Sequence, residues 1–114
     1  MKLSTALMFD GNVERLTSKI QDLEAAGVDM VLIPEIYGFD QVSVLGYIAA
    51  KTDNIELMTG IVNVYSRSPA LIAQSAATID ALSGGRFTLG IGTSGAQVVE
   101  GWHGVPFKRP LGRT

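Results

Sequence analysis

The sequence predicts an α/β fold built on parallel strands, and two observations carry that reading. Four short apolar runs alternate with three segments whose apolar residues recur at spacings of three and four, giving the order βαβαβαβ. The connections are only a few residues long, and no linker or composition shift divides the chain. Successive strands are therefore joined by right-handed crossovers within one domain over residues 1–114.

Leu3 to Phe9 is the first apolar run and ends at Asp10-Gly11-Asn12, a cluster suited to a turn and a helix cap. Each of these three residues could cap the following helix, and only Gly11 is followed by a glutamate three positions on. That helix carries Val13, Leu16, Ile20 and Leu23 on one face and stops at Gly27, where a left-handed cap fits. Met30 to Ile33, bounded by Asp29 and Pro34, is apolar on both faces, as a strand in a covered parallel sheet must be. A second helix runs from Asp40 as cap through Val44, Leu45, Ile48 and Ala49 to Lys51. Gly46 inside it costs about 1 kcal/mol relative to alanine, which predicts a close packing contact there.

Ile55 to Val64, rich in β-branched residues, is the third strand. Ser68-Pro69 starts the third helix: serine caps the free amides, and proline occupies the first turn, where its missing donor costs nothing. The helix continues through Leu71, Ile72, Ala76, Ile79 and Leu82 to Gly84-Gly85. Phe87 to Ile91 is the fourth strand, Gly92-Thr93-Ser94-Gly95 is a glycine-rich turn, and the remainder reads as irregular.

Two architectures accommodate this order, an open doubly wound sheet and a (β/α)8 barrel. A complete barrel takes about 250 residues, so four βα units would form its N-terminal half. The end at Arg113-Thr114, with no helix to cover the fourth strand, favours a fragment of a barrel.

Composition narrows the function. The formal net charge is −2, with acidic and basic residues dispersed, so there is no basic stripe to displace counterions from a nucleic acid. The absence of cysteine and the single histidine, His103, exclude disulfides, thiolate metal sites and multi-histidine metal sites. No apolar run reaches the roughly 20 residues of a membrane span, and no signal-peptide pattern is present, so a cytoplasmic, soluble protein is expected. A charged fraction of 18% is low for a small free-standing domain, which implies apolar surface intended for a partner.

In either architecture, ligands bind at the C-terminal ends of the strands, where loops and helix N-termini present unpaired amides. Four loops then share one rim: Phe9-Asp10-Gly11, Pro34-Glu35-Ile36-Tyr37, Gly60-Ile61-Val62-Asn63 and Gly92-Thr93-Ser94-Gly95. Gly90-Ile91-Gly92-Thr93-Ser94-Gly95 matches G-x-G-x-x-G. A dinucleotide fingerprint, however, follows the first strand and opens a helix, whereas this one follows the fourth and leads into an irregular tail. A tight turn or a backbone wall against a flat ring are the other readings. Glu35 is either a site residue or the solvated cap of a loop. Asp10 is more readily a helix cap. Arg67 could bind an anion at the start of the third helix, although an isolated surface arginine is commoner. Trp102 and His103 could line a ring pocket or anchor a loop.

A family resemblance rests on several segments taken together. Thr59-Gly60-Ile61-Val62-Asn63, Arg67-Ser68-Pro69-Ala70, Ala73 to Asp80 and Ser83-Gly84-Gly85-Arg86-Phe87-Thr88-Leu89-Gly90-Ile91-Gly92 resemble the luciferase-like monooxygenase superfamily. Gly101-Trp102-His103-Gly104-Val105-Pro106-Phe107 with Arg109-Pro110 is similar to its deazaflavin (coenzyme F420)-dependent branch. The resemblance covers essentially the whole chain. It implies a (β/α)8 barrel with F420, or alternatively FMN, at the C-terminal rim. It also implies hydride transfer between the cofactor and a small organic substrate, with the protein supplying orientation and electrostatics; the alternatives are an FMN-dependent monooxygenase and a non-catalytic half-barrel interaction module.

Residue by residue, the resemblance implies that Glu35 contacts the cofactor from the second strand. Gly60-Ile61 would form a cis-peptide bulge behind the ring, with Asn63 beyond it, and Thr93 and Ser94 would approach the ring and its hydroxylated tail. Gly95 and Ala96 stand where some relatives place a catalytic glutamate, which argues against a glucose-6-phosphate dehydrogenase-like reaction. The family's dimers pack through the second and third helices, whose Gly46, Ala49, Ala50, Ala73, Ala76 and Ala77 suit close contact between copies or within the chain. Because the family's phosphate-binding elements lie largely in the other half of the barrel, this chain by itself is expected to be inactive.

Overall fold

The computed structural model describes residues Met1–Thr114. Strands β1 (Ser4–Ala6), β2 (Met30–Ile33), β3 (Glu56–Thr59) and β5 (Phe87–Thr88) form one sheet, with β4 (Val62–Asn63) and β6 (Ile91–Gly92) paired beyond it. Every pairing is parallel, with Ser4 opposite Met30, Met30 opposite Glu56, and Leu57 opposite Phe87. Helices α1 (Val13–Ala25), α2 (Gln41–Ala49) and α3 (Pro69–Ser83) form the crossovers, and a short α4 (Ala96–Gly101) follows β6.

Strand order decides between the two architectures. The strands lie side by side in chain order, so right-handed crossovers put all three helices on one face of the sheet. Burial agrees: Val31, Ile33 and Leu57 are buried in a single core with Leu16, Ile20, Leu45, Ile48 and Ile79 from α1, α2 and α3. Met30, Leu32, Glu56 and Met58, which point to the other face, are only half-buried. A doubly wound sheet would carry helices on both faces, so the fold is a partial half-barrel. Each fully buried Ile or Leu in this core contributes about 1.5–3 kcal/mol of hydrophobic stabilisation.

Local signals set most element ends. Asn12, the last of the three candidate caps, accepts from the Arg15 amide at 2.9 Å. Asp40 accepts from Ser43 at 2.8 Å, and Ser68 caps α3 with Pro69 in the first turn. Gly84 closes α3 in the left-handed conformation, with φ 67°.

Several expectations need correction. The third and fourth strands are each interrupted, at Gly60-Ile61 and at Leu89-Gly90, where the two segments approach too closely for a regular ladder. Gly46 has nothing within 4 Å of where a Cβ would stand, so no close packing contact explains it. The segment after Gly95 is helical rather than irregular, because Val98 and Val99 bury one side of a short turn of helix; Val99 packs with Val64 and Tyr65.

At the N-terminal end of the strands, Arg86 pins the sheet to the helices. Its guanidinium donates to the carbonyls of Ser83, Ala49, Thr52 and Ile55 and to the Thr52 hydroxyl, at 2.7–3.0 Å. Glu24 accepts from the amides of Asp53, Asn54 and Ile55. Burial alone would raise the Glu24 pKa, but those amides and the Arg86 charge outweigh it and hold the carboxyl below its ordinary 4.5.

Candidate functional site at the C-terminal rim

Opposite that pinned end, the carboxyl ends of β2, β4 and β6 gather the expected site residues. Val62 lies under α3 beside Ile72 and Ala76. Strand alternation therefore turns Ile61 and Asn63 to the face without helices. Ile61 is 44% exposed there, whereas Asn63 is 4% exposed. Asn63 pairs with Gly92 across the ladder, and a Cβ on Gly92 would stand 2.9 Å from the Ile61 side chain. Thr93 and Ser94 follow at once, half-buried, with Ser94 in the left-handed region at φ 56°.

Asn63 is the one buried side chain with an unpartnered polar atom. Its Oδ1 accepts from the Tyr65 amide at 2.9 Å, and its Nδ2 has no partner. A buried amide donor left unpaired costs about 1–3 kcal/mol, which makes Asn63 the polar group at this rim whose bonding is incomplete.

The interruption at Gly60-Ile61 is held from below. Gln41, fully buried at the start of α2, accepts from the Gly60 amide at 3.1 Å and donates to the Ile61 carbonyl at 2.7 Å. Its own amide donates to Glu35 at 2.9 Å. A Cβ on Gly60 would stand 2.9 Å from the Pro34 Cα, so this bend requires glycine.

Gly60-Ile61 itself differs from expectation: every peptide bond in the chain is trans. A cis non-proline bond costs about 3–4 kcal/mol and persists only where surroundings dictate it. Here Ile61 is 44% exposed, and Gln41 satisfies the flanking backbone groups with the bond trans.

Glu35 is neither a solvated cap nor a free carboxylate. Arg67 reaches back from the start of α3 and grips it with both ends of its guanidinium, at 2.8 and 2.9 Å. The side chains of Arg67 and Glu35 are 14% and 13% exposed, so Arg67 is not an isolated surface arginine. Arg67 also pairs with Asp40. The hydrogen bond to Glu35 outweighs burial and raises the Arg67 pKa above its ordinary value. Burial raises the Asp40 pKa, but its bonds to Ser43 and the Arg67 charge prevail and lower it below 3.8. This Arg67–Glu35–Gln41 chain joins partners far apart in sequence, and no local pattern announces it.

Around this network the rim is apolar and aromatic. Tyr37 and Trp102 meet edge-on, with ring centroids 5.8 Å apart, so the Gly101-to-Gly104 loop stands beside the strand-two loop. Ile36 and Ile91 are also exposed. Asp10 accepts from the Asn12 amide and pairs with Arg15. No helix is long and apolar enough to cross a membrane.

The sequence profile of the family described as luciferase-like monooxygenase matches residues 2–114. The chain belongs to this family. A Mycobacterium tuberculosis protein that carries the provisional name of a coenzyme F420-dependent oxidoreductase is 44% identical over 91 residues, which are 80% of this chain and 26% of that protein. The structure of the coenzyme F420-dependent tetrahydromethanopterin reductase from Methanopyrus kandleri superposes with a TM-score of 0.82 at 31% identity, over 93% of this chain and 30% of that one. The oxygenating constituent of 3,6-diketocamphane monooxygenase from Pseudomonas putida, in complex with FMN, shares the fold alone, with a TM-score of 0.81 at 18% identity. The chain thus spans about a third or less of these first two relatives.

Proposed function

We propose that this chain is the ring-binding half of an oxidoreductase that transfers hydride between F420 and a small organic substrate. The observation that carries the reading is the buried, unpartnered Nδ2 of Asn63, on the same face as exposed Ile61 and beside the Thr93-Ser94 turn. A deazaflavin has a flat apolar body and carbonyl acceptors on its pyrimidine edge, so these residues fit it. The names of the relatives support F420 over FMN, because the FMN-bound neighbour shares only the fold.

When bound, the deazaflavin would supply the hydride chemistry at C5. The protein's part is positional. Ile61 would form an apolar wall for the ring, Asn63 would donate to a ring carbonyl, and Thr93 and Ser94 would flank the ring and its hydroxylated tail. Glu35 would act through Arg67 and Gln41, which already occupy its carboxylate. The parent protein is the enzyme, and the 114-residue chain alone is expected to be inactive.

Titration of the chain with F420 and, separately, with FMN, followed by ring absorption and fluorescence, tests the reading. Binding of F420 in preference to FMN, weakened by Asn63→Leu, is expected. Preference for FMN would move the parent to oxygen-dependent monooxygenation, and binding of neither would overturn the proposal.

The same reading extends to a homodimer through α2 and α3. Leu71 and Leu82 of α3 and Tyr47 of α2 are exposed, and a shallow groove lined by Val42, Gly46, Leu71, Ser75 and Leu82 runs between the two helices. Sedimentation should show a dimer that Leu71→Lys dissociates.

A further inference from the structure

We infer that Gln41 is a positioning residue that sets the ring-facing surface of the Gly60-Ile61 bulge. The inference rests on the flavin or deazaflavin reading above. Gln41 is fully buried, yet neither end of its amide is spent on its own helix. Oε1 takes the Gly60 amide at 3.1 Å, and Nε2 gives to the Ile61 carbonyl at 2.7 Å, so one side chain spans the dipeptide. The two bonds hold the peptide units on either side of the Gly60–Ile61 bond, and so set how that dipeptide leaves the ladder.

The remaining partners of the bulge hold its ends. The Gly60 amide also donates to the Ile33 carbonyl at 2.9 Å, and the Val62 amide donates to Gly90 at 2.8 Å. Only Gln41 holds the Ile61 carbonyl. Gln41 is held in turn, because its backbone amide donates to Glu35, which Arg67 grips from α3. The bulge is thereby tied to α2 and α3, and the buried network works only if every member is satisfied.

Two variants test this. Gln41→Met keeps bulk and removes both bonds. Gln41→Glu keeps the shape and the acceptor for Gly60 but turns the donor to Ile61 into a repelling oxygen. Hydrogen exchange of the Gly60 and Val62 amides reports the clamp, and fluorescence titration with 5-deazalumiflavin and lumiflavin, which have no phosphate, reports ring binding.

The expected result for both variants is exchange at least tenfold faster in the bulge, unchanged exchange in α1 and around Arg86, and ring affinity at least fivefold weaker. Unchanged bulge exchange, or faster exchange with unchanged affinity, overturns the inference. Should Gln41→Met lose protection throughout the chain, Gln41→Glu decides by the same two readouts. A wild-type chain that binds neither ring overturns the functional reading and this role with it. That failure is recognisable because the exchange arm would still register the clamp.

Discussion

Thr59 and Gly90 exchange two hydrogen bonds across the interrupted strands: the Gly90 amide donates to the Thr59 hydroxyl at 2.7 Å, and that hydroxyl donates to the Gly90 carbonyl at 3.0 Å. A Cβ on Gly90 would lie 2.2 Å from the Thr59 carbonyl oxygen, so the two interruptions interlock at one level. Thr59→Val leaves the Gly90 amide unpaired and should cost about 1–3 kcal/mol in urea denaturation, whereas Thr59→Ser should recover most of it. Gly90→Ala should be worse than Thr59→Val, since backbone rather than a flexible side chain blocks the methyl.

Arg86 should resist conservative replacement. A lysine has one ammonium centre and cannot serve carbonyls on Ala49, Thr52, Ile55 and Ser83 together. Both Arg86→Lys and Arg86→Met should lower stability, the latter by about 3–6 kcal/mol, the scale of two lost charge-assisted bonds. Equal stability of Arg86→Met and wild type in chemical denaturation would contradict the pin.

Removing Arg67 leaves a nearly buried carboxylate on Glu35. Arg67→Met should destabilise by about 3–5 kcal/mol, the range for breaking a buried pair from one side. Glu35→Gln in the same chain should restore part of that loss. Additive losses in the double-mutant cycle would show that the pair is not coupled.

The acid limb of stability has a definite sign. Glu24 and Asp40 both have folded pKa values below their ordinary 4.5 and 3.8. Each therefore contributes stability that is present above those ordinary values and lost as pH falls through the lower folded ones. Thermal unfolding should show a falling midpoint from about pH 4.5 downward, and Glu24→Gln should flatten its upper part. A midpoint that rose on acidification through this window would contradict the assignment.

Much of the fold was legible because its signals are local. Met30 to Ile33, the Asp40 and Ser68 caps and the Gly84 stop each depend on neighbours within a few residues, and the structure has them as read. The break of the third strand depends on Gln41, Pro34 and Gly90, which lie far away in sequence. No pattern within Ile55 to Val64 could show it. In the sequence Arg67 offers only an anion site or, more commonly, an isolated surface arginine for the same reason, since its partner Glu35 lies 32 residues back. The expected rim residues do converge, and the family resemblance supplied their positions. It also suggested a cis bond that the backbone does not adopt, and it gave no role to Gln41.

The C-terminal rim, and not the pinned opposite end, is proposed to receive the flat redox ring. Amide chemical-shift mapping on the isotopically labelled chain during addition of 5-deazalumiflavin tests it most directly. The largest shifts are expected at Ile61, Asn63, Gly92, Thr93 and Ser94. Shifts centred instead on Glu24, Thr52 and Arg86, or none anywhere at saturating ring, would contradict it.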